Sequence, residues 1–222
     1  MSSRERKWRM ARKDIKDVRR VQLIEATFDS IAKHGFAATT LADVAEQAGL
    51  SQGIVNFYFN SKKDLLTATL RHMAEDYYER SAAAVGRAGP SPAARLDAMI
   101  SADFDPVIAS RKNVTVWYAF WGETRWRPAF VKLCAELSDS YQIQTSAIMG
   151  EIIAAGGYAD LDAAALARGL NAMIDGLWLD ILTNPRSCDR TMALEICRTY
   201  LGQVFPREFG SRPAIKLAAG AA

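Results

Sequence analysis

Apolar residues recur at intervals of three and four along nearly the whole 222-residue chain, and no alternating stretch persists. That period belongs to the α-helix, whereas a half-buried strand alternates every second residue. The chain is therefore predicted to be all-α, with about nine helices. Glycine, proline and small polar residues cut the pattern into pieces. Val21, Ile24, Phe28 and Ile31 share one face of a first helix, and Gly35 follows as its stop. Thr40 then opens a short second helix, with Asp43 in the position of a capping-box acid. Leu41, Val44, Ala45 and Ala48 form its apolar face, and Gly49 ends it. Ser51 is the natural N-cap of a third helix, 52–59, and Ser61 that of a long fourth. Leu66, Leu70, Met73 and Tyr77 share a face of the fourth helix, and 86–92 is the clearest loop. Five further helices are predicted over 92–109, 112–125, 128–155, 162–183 and 189–204. Their breakers are Pro106, Pro128, Gly156-Gly157, Pro185 and Pro206.

The net charge of +3 conceals an uneven distribution. The first twenty residues hold nine Lys/Arg against three Asp/Glu, so the remainder is acidic. A basic end suits a polyanion, with nucleic acid ahead of a membrane surface, although a solvated tail without a partner reads the same way. No run is long and apolar enough to span a membrane, and no apolar segment follows the basic start as in a secretory leader. Three scattered cysteines, Cys134, Cys188 and Cys197, make no disulfide framework or zinc spacing. They are read as buried thiols in a reducing cytoplasm. No nucleophile elbow, phosphate-binding glycine loop or H-E-x-x-H occurs, so no catalytic site, metal or cofactor is expected. His34 and His72 are read as ordinary surface or core histidines, and Asp103 and Asp105 as ordinary helix or loop charges.

Two short helices joined by a tight glycine turn have the form of a helix-turn-helix. Ala45 and Ala48 are small enough for close crossing, and Val55 and Phe59 turn to the core. Gln52, Gly53, Ile54, Asn56 and Phe57 are left to face outward. Gln and Asn amides match the edge of adenine, and an aliphatic group matches a thymine methyl. A helical hairpin that touches no DNA is the plainer alternative for this pattern alone.

The run Thr39–Ser51, containing VAEQAGLS, continues through an aromatic third helix to SKKDLL at Ser61–Leu66. In that order and spacing it resembles the TetR family of bacterial repressors over about 50 residues. The resemblance implies double-stranded operator DNA as partner. Thr40 and its neighbours would hold phosphate at a helix N-terminus, and Ser51 lies at the start of the reading helix. Gln52, Gly53 and Asn56 would approach bases, Ile54 a thymine methyl, and Phe57 lies beside them. Tyr58 and Lys62 would bond phosphates. Asn56 departs from the family, which commonly has an aromatic residue there. Arg4, Arg6 and Arg9, in a basic flexible arm over 1–17, resemble arms that add minor-groove or backbone contacts. The DNA-binding domain is then 18–72, a ligand-binding and dimerisation domain spans 73–209, and 210–222 is expected to be disordered.

The sensor half is read from its aromatic residues. Trp117 and Trp121 share a helix face, with Tyr118 and Glu123 beside them, and Asp175 stands three residues before Trp178. Each tryptophan is read either as core or as part of a cation cage, because ring faces attract a cation that has no N–H to donate. VWYAFWGE at Val116–Glu123 and DGLWLD at Asp175–Asp180 further resemble the choline-responsive, BetI-type branch of the family. That likeness implies choline, or a related quaternary ammonium, as effector, and operators beside genes of choline uptake or glycine betaine synthesis. The alternative is a sensor of lipophilic cations, such as a regulator of multidrug efflux. Small residues mixed with Leu166, Gly169, Leu170, Met173 and Leu177 fit a dimerising helix. A homodimer would also supply two reading helices about 34 Å apart.

Overall fold

The computed structural model describes the backbone of residues 3–210 and the side chains of residues 16–210. Among these residues there are ten α-helices, one 3₁₀ turn and no strand. In chain order they are α1 (Ser3–His34), α2 (Leu41–Gln47), α3 (Gln52–Tyr58), α4 (Lys62–Arg87) and α5 (Pro92–Asp103). Then follow α6 (Arg111–Glu123), the 3₁₀ turn (Thr124–Trp126), α7 (Pro128–Gly156), α8 (Ala163–Thr183), α9 (Arg190–Val204) and α10 (Pro206–Phe209). Two compact units are formed. One holds the chain up to Ala74 and takes in Val116–Phe130, and the other holds Glu75–Thr115 and the chain from Val131 onward.

The first unit is centred on Leu23, Ile24, Val44, Val55, Phe59 and Leu65, all nearly inaccessible to water. Leu23 carries more of α1's buried face than the expected Val21, which is exposed. Gln22 donates from Nε2 to the Ala48 carbonyl at 2.8 Å, tying α1 to the end of α2. Gly49 has φ 64°, a left-handed conformation that a side chain disfavours, and so allows the sharp turn into α3. Phe36, Phe120 and Phe130 pack edge to face with centroids 5.4–6.0 Å apart, an arrangement that suits the quadrupoles of the rings.

In the second unit α5 stops at Asp103, six residues before the predicted end. The Asp105 carboxylate accepts the Val107 N–H at 2.9 Å, so a local turn competes with the helix ahead of Pro106. Arg198 on α9 grips Asp97 on α5 through two bonds of 2.7 Å and also reaches Ser101 and Glu195. The paired planar geometry gives this link direction as well as charge. Pro206, expected only as a breaker, also starts α10, because its missing N–H and fixed φ suit a first helical position.

The C-terminal end of α7 depends on a residue without a side chain. A Cβ on Gly156 would lie 2.3 Å from the Tyr158 ring and 2.8 Å from the Glu208 carboxylate. That ring is pinned by its hydroxyl donating to Glu208 at 2.7 Å and by edge packing on Phe205. Gly156→Ala is therefore expected to lower Tm by about 2–4 °C, because the overpacking cost exceeds the helix gain of alanine. A thermal melt showing no loss would remove this constraint.

Candidate functional site

The reading helix is positioned by hydrogen bonds just ahead of it. The Thr40 hydroxyl accepts the Asp43 N–H at 3.1 Å, and the Thr40 N–H donates to the Asp43 carboxylate at 2.8 Å. The hydroxyl proton also points at Asp43, at 2.6 Å. These bonds hold the Asp43 carboxyl below its usual range. They also spend Thr40's own donors, so a phosphate at this end would meet the following backbone N–H groups rather than the threonine hydroxyl. Ser51 stands at the N-cap of α3, but its side chain makes no cap bond, which corrects the expected hydroxyl cap. The Ser51 carbonyl instead accepts the Ile54 N–H at 2.9 Å.

Val55 and Phe59 anchor α3 in the core. Gln52, Gly53, Ile54, Asn56 and Phe57 face outward, and Tyr58 is half-buried. Phe57 is 74% exposed and Ile54 37%, an apolar pair left in water at the middle of the helix. Phe57 rests edge-on against Tyr58 at 5.2 Å. Lys62 at the start of α4 has its ammonium 3.5 Å from the Ala37 carbonyl. The side chains of Arg4, Arg6 and Arg9 lie outside the described residues.

The second unit holds a different kind of site. Asp103, at the end of α5, has no accessible surface. Tyr77 of α4 donates to its Oδ1 at 2.5 Å, Tyr141 of α7 donates to its Oδ2, and Trp178 of α8 donates from Nε1 to its main-chain carbonyl at 3.0 Å. The Tyr77 ring lies 5.8 Å from that of Tyr141 and stands edge-on to Trp178 at 6.2 Å. Burial raises the Asp103 carboxyl to about 7, against the two phenol bonds that lower it, and the Asp175 charge raises it further. No cation is among these groups, which are drawn from the described residues. Both phenols are pushed well above their usual range, first by burial and next by the charge on Asp103. They remain donors at any physiological pH. The arrangement is a buried carboxyl group bordered by three electron-rich rings.

Family models match both parts of the chain. Residues 23–69 match the bacterial regulatory proteins of the tetR family, and residues 92–206 match the C-terminal domain of BetI-type transcriptional repressors. The chain belongs to the TetR family, with a BetI-type C-terminal domain. The HTH-type transcriptional regulator BetI of Burkholderia mallei is 34% identical over 197 residues, 88% of this chain and 97% of that protein. BetI of Paraburkholderia phytofirmans is 34% identical over the same shares. A transcriptional regulator from Pseudomonas aeruginosa PAO1 superposes with TM-score 0.78 at 25% identity, over 87% of this chain and 93% of that one. A regulator from Saccharomonospora viridis, solved in complex with choline, superposes with TM-score 0.74 at 24% identity, over 83% and 96%. TetR-family proteins are DNA-binding regulators rather than enzymes, and the helix-turn-helix described above is the part that meets operator DNA. No described helix is long and apolar enough to cross a membrane, and the described residues contain no cluster of potential metal ligands.

With the family in view, the residues expected at the ligand fall in two places. Trp117, Tyr118, Trp121 and Glu123 belong to the first unit, where Trp121 lies 6.1 Å from Trp117 and 4.9 Å from Tyr118. Glu123 pairs with Arg127 at 2.8 Å, one turn along the chain. Trp178 joins Asp103 in the second unit. Asp175 is exposed along α8, yet protein crowding its carboxyl raises it to about 6. Asp103, read from sequence as an ordinary charge, is the centre of the cluster, and Tyr77 and Tyr141 were not expected there. A signal was present: Leu96, Met99, Ile100 and Asp103 run at offsets 0, 3, 4 and 7, which places the acid on the apolar stripe of α5. Of the residues expected at a dimer contact, Leu170 is buried within its own unit, Leu166, Met173 and Leu177 are half-buried, and Gly169 is exposed.

Because Asp103 titrates higher in the fold than in the open chain, protonation favours the folded state. Its contribution is greatest below about pH 4 and is lost as pH rises to about 7. Asp103→Asn is expected to raise Tm by at least about 2 °C at pH 8, with a smaller gain at pH 5. Equal melts at both pH values would show that Asp103 carries no buried charge.

Proposed function

We propose that this chain is a choline-responsive repressor, acting as a homodimer on operators beside genes of choline uptake or glycine betaine synthesis. The observation that carries the reading is the Asp103 carboxylate set among Tyr77, Tyr141 and Trp178. A quaternary ammonium has no N–H to donate, so ring faces and a nearby carboxylate hold it at about 0.5–2 kcal/mol per ring. The likeness to BetI proteins and the choline found with the Saccharomonospora viridis regulator support the same ligand class. The exposed stripe of Ala165, Gly169, Ala172, Gly176 and Leu179 on α8 supports a close helix contact between two copies. That stripe replaces Leu170 in the proposed interface.

The ligand acts by population shift. Choline favours the dimer geometry whose cage it fits better, and only that differential affinity can move the equilibrium. α4 bears both Lys62, just after the reading helix, and Tyr77 at Asp103. Gln52 and Asn56 read bases, Ile54 and Phe57 add apolar contact, and Tyr58, Lys62 and the arm residues Arg4, Arg6 and Arg9 bind phosphate.

Two outcomes test the reading. Asn56→Ala is expected to cost about 1–3 kcal/mol on the cognate operator and almost nothing on an unrelated duplex. Fluorescence anisotropy with both duplexes at matched salt measures this, and an equal loss on both would exclude base reading. Choline requires the ionised carboxylate, so its affinity is expected to fall about tenfold from pH 8 to pH 6, and Asp103→Asn to abolish binding. Calorimetric titration with choline, betaine and a dye cation is the measurement. An Asp103→Asn protein that binds choline normally would sink the proposed site, and a preference for the dye would favour an efflux-type sensor.

A further inference from the structure

Ser81 lies one turn beyond Tyr77 on α4, is 2% exposed, and its Oγ has no hydrogen-bond partner. Buried hydroxyls almost always find one. The default in a helix is the carbonyl four residues back, and two threonines of the same helix take it: Thr67 bonds the Lys63 carbonyl at 2.8 Å and Thr69 the Leu65 carbonyl at 3.0 Å. Ser81 has the same option at Tyr77 and does not use it. Residues four apart on a helix share a face, with Cβ atoms about 5–6 Å apart, so Ser81 and the cage residue Tyr77 lie on one side of α4. The second unit thus carries on one face of α4 the Tyr77 that bonds the buried Asp103 and, about one helical turn further along, an unmatched hydroxyl.

We propose that Ser81 is the hydroxyl-reading residue of the cation site, which makes the preferred ligand a quaternary ammonium that also carries a hydroxyl. The inference rests on the Asp103 site proposed above. The rings and Asp103 recognise charge and methyl groups, which any tetraalkylammonium offers. Ser81 adds selection for an amino alcohol, since its Oγ can both donate and accept. A ligand lacking the hydroxyl leaves that buried group unmatched and binds less well.

The test compares choline with ethyltrimethylammonium, which keeps the charged end and lacks the hydroxyl. Both are titrated by calorimetry into the full-length wild-type and Ser81→Ala proteins, and thermal melts check the fold. The wild type is expected to prefer choline by about three- to tenfold. Ser81→Ala is expected to bind the two cations equally, at the wild-type affinity for ethyltrimethylammonium, with Tm unchanged or raised. A variant that keeps the wild-type preference, or that loses both cations to the same extent, overturns the role of Ser81. A wild type that binds neither cation overturns the cation site itself.

Discussion

A carboxylate without access to water is costly unless hydrogen bonds or an opposite charge offset it, and the larger unit is organised around that cost. Asp103 ends α5, and α4, α7 and α8 each bring one donor to it: a phenol, a second phenol and an indole N–H. The three donors satisfy its polar atoms without neutralising its charge. The helices are therefore held in register by bonds that leave an anion unbalanced among the described residues. A core built for stability alone would place an apolar residue there. If the cluster binds a ligand as proposed, the fold holds that site at a cost, a common relation between function and stability.

The DNA-binding head follows the opposite logic. Its interior is mostly apolar, and the few hydroxyls buried there are bonded, Thr27 to the Leu23 carbonyl and Ser30 to Thr39. The Thr40–Asp43 box, the Gln22 bond to the end of α2 and the left-handed Gly49 set the angle between α2 and α3. Placement of that kind leaves Gln52 and Asn56 of a seven-residue helix facing outward while Val55 and Phe59 hold it in the core. Phe57 and Ile54 stay in water, which is disfavoured in the free protein and is relieved when a partner covers them. α4 runs without a break from Lys62 to Arg87 and carries Tyr77 along the way.

Different parts of the molecule were legible in the sequence to different degrees. Helix ends were readable because caps and stops act locally: Thr40, Gly49 and Ser61 each do their work within four residues. Ser51 misled, because a side chain of the right type at a cap is free to turn elsewhere. The reading face of α3 was also readable, since helical period assigns Val55 and Phe59 to one side and the amides to the other. The sensor site was not. Tyr77 and Tyr141 are separated by 64 residues in the chain, with Asp103 between them, and no local pattern joins the three. The tryptophans of α6 are conspicuous in the sequence, whereas the acid of α5 stands out only against the helical period of its apolar neighbours.

The sequence by itself therefore determined the all-helical class, the helix-turn-helix and its outward-facing amides. Those features depend on backbone sterics, capping and a period of 3.6, all of which operate over a few residues. Only the tertiary structure decided which carboxylate is buried, which rings surround it and that Glu123 pairs with Arg127. Burial and pairing are properties of surfaces brought together from distant parts of the chain. The apolar stripe of α5 marks Asp103 as a candidate for burial, but which groups surround it is set by those surfaces.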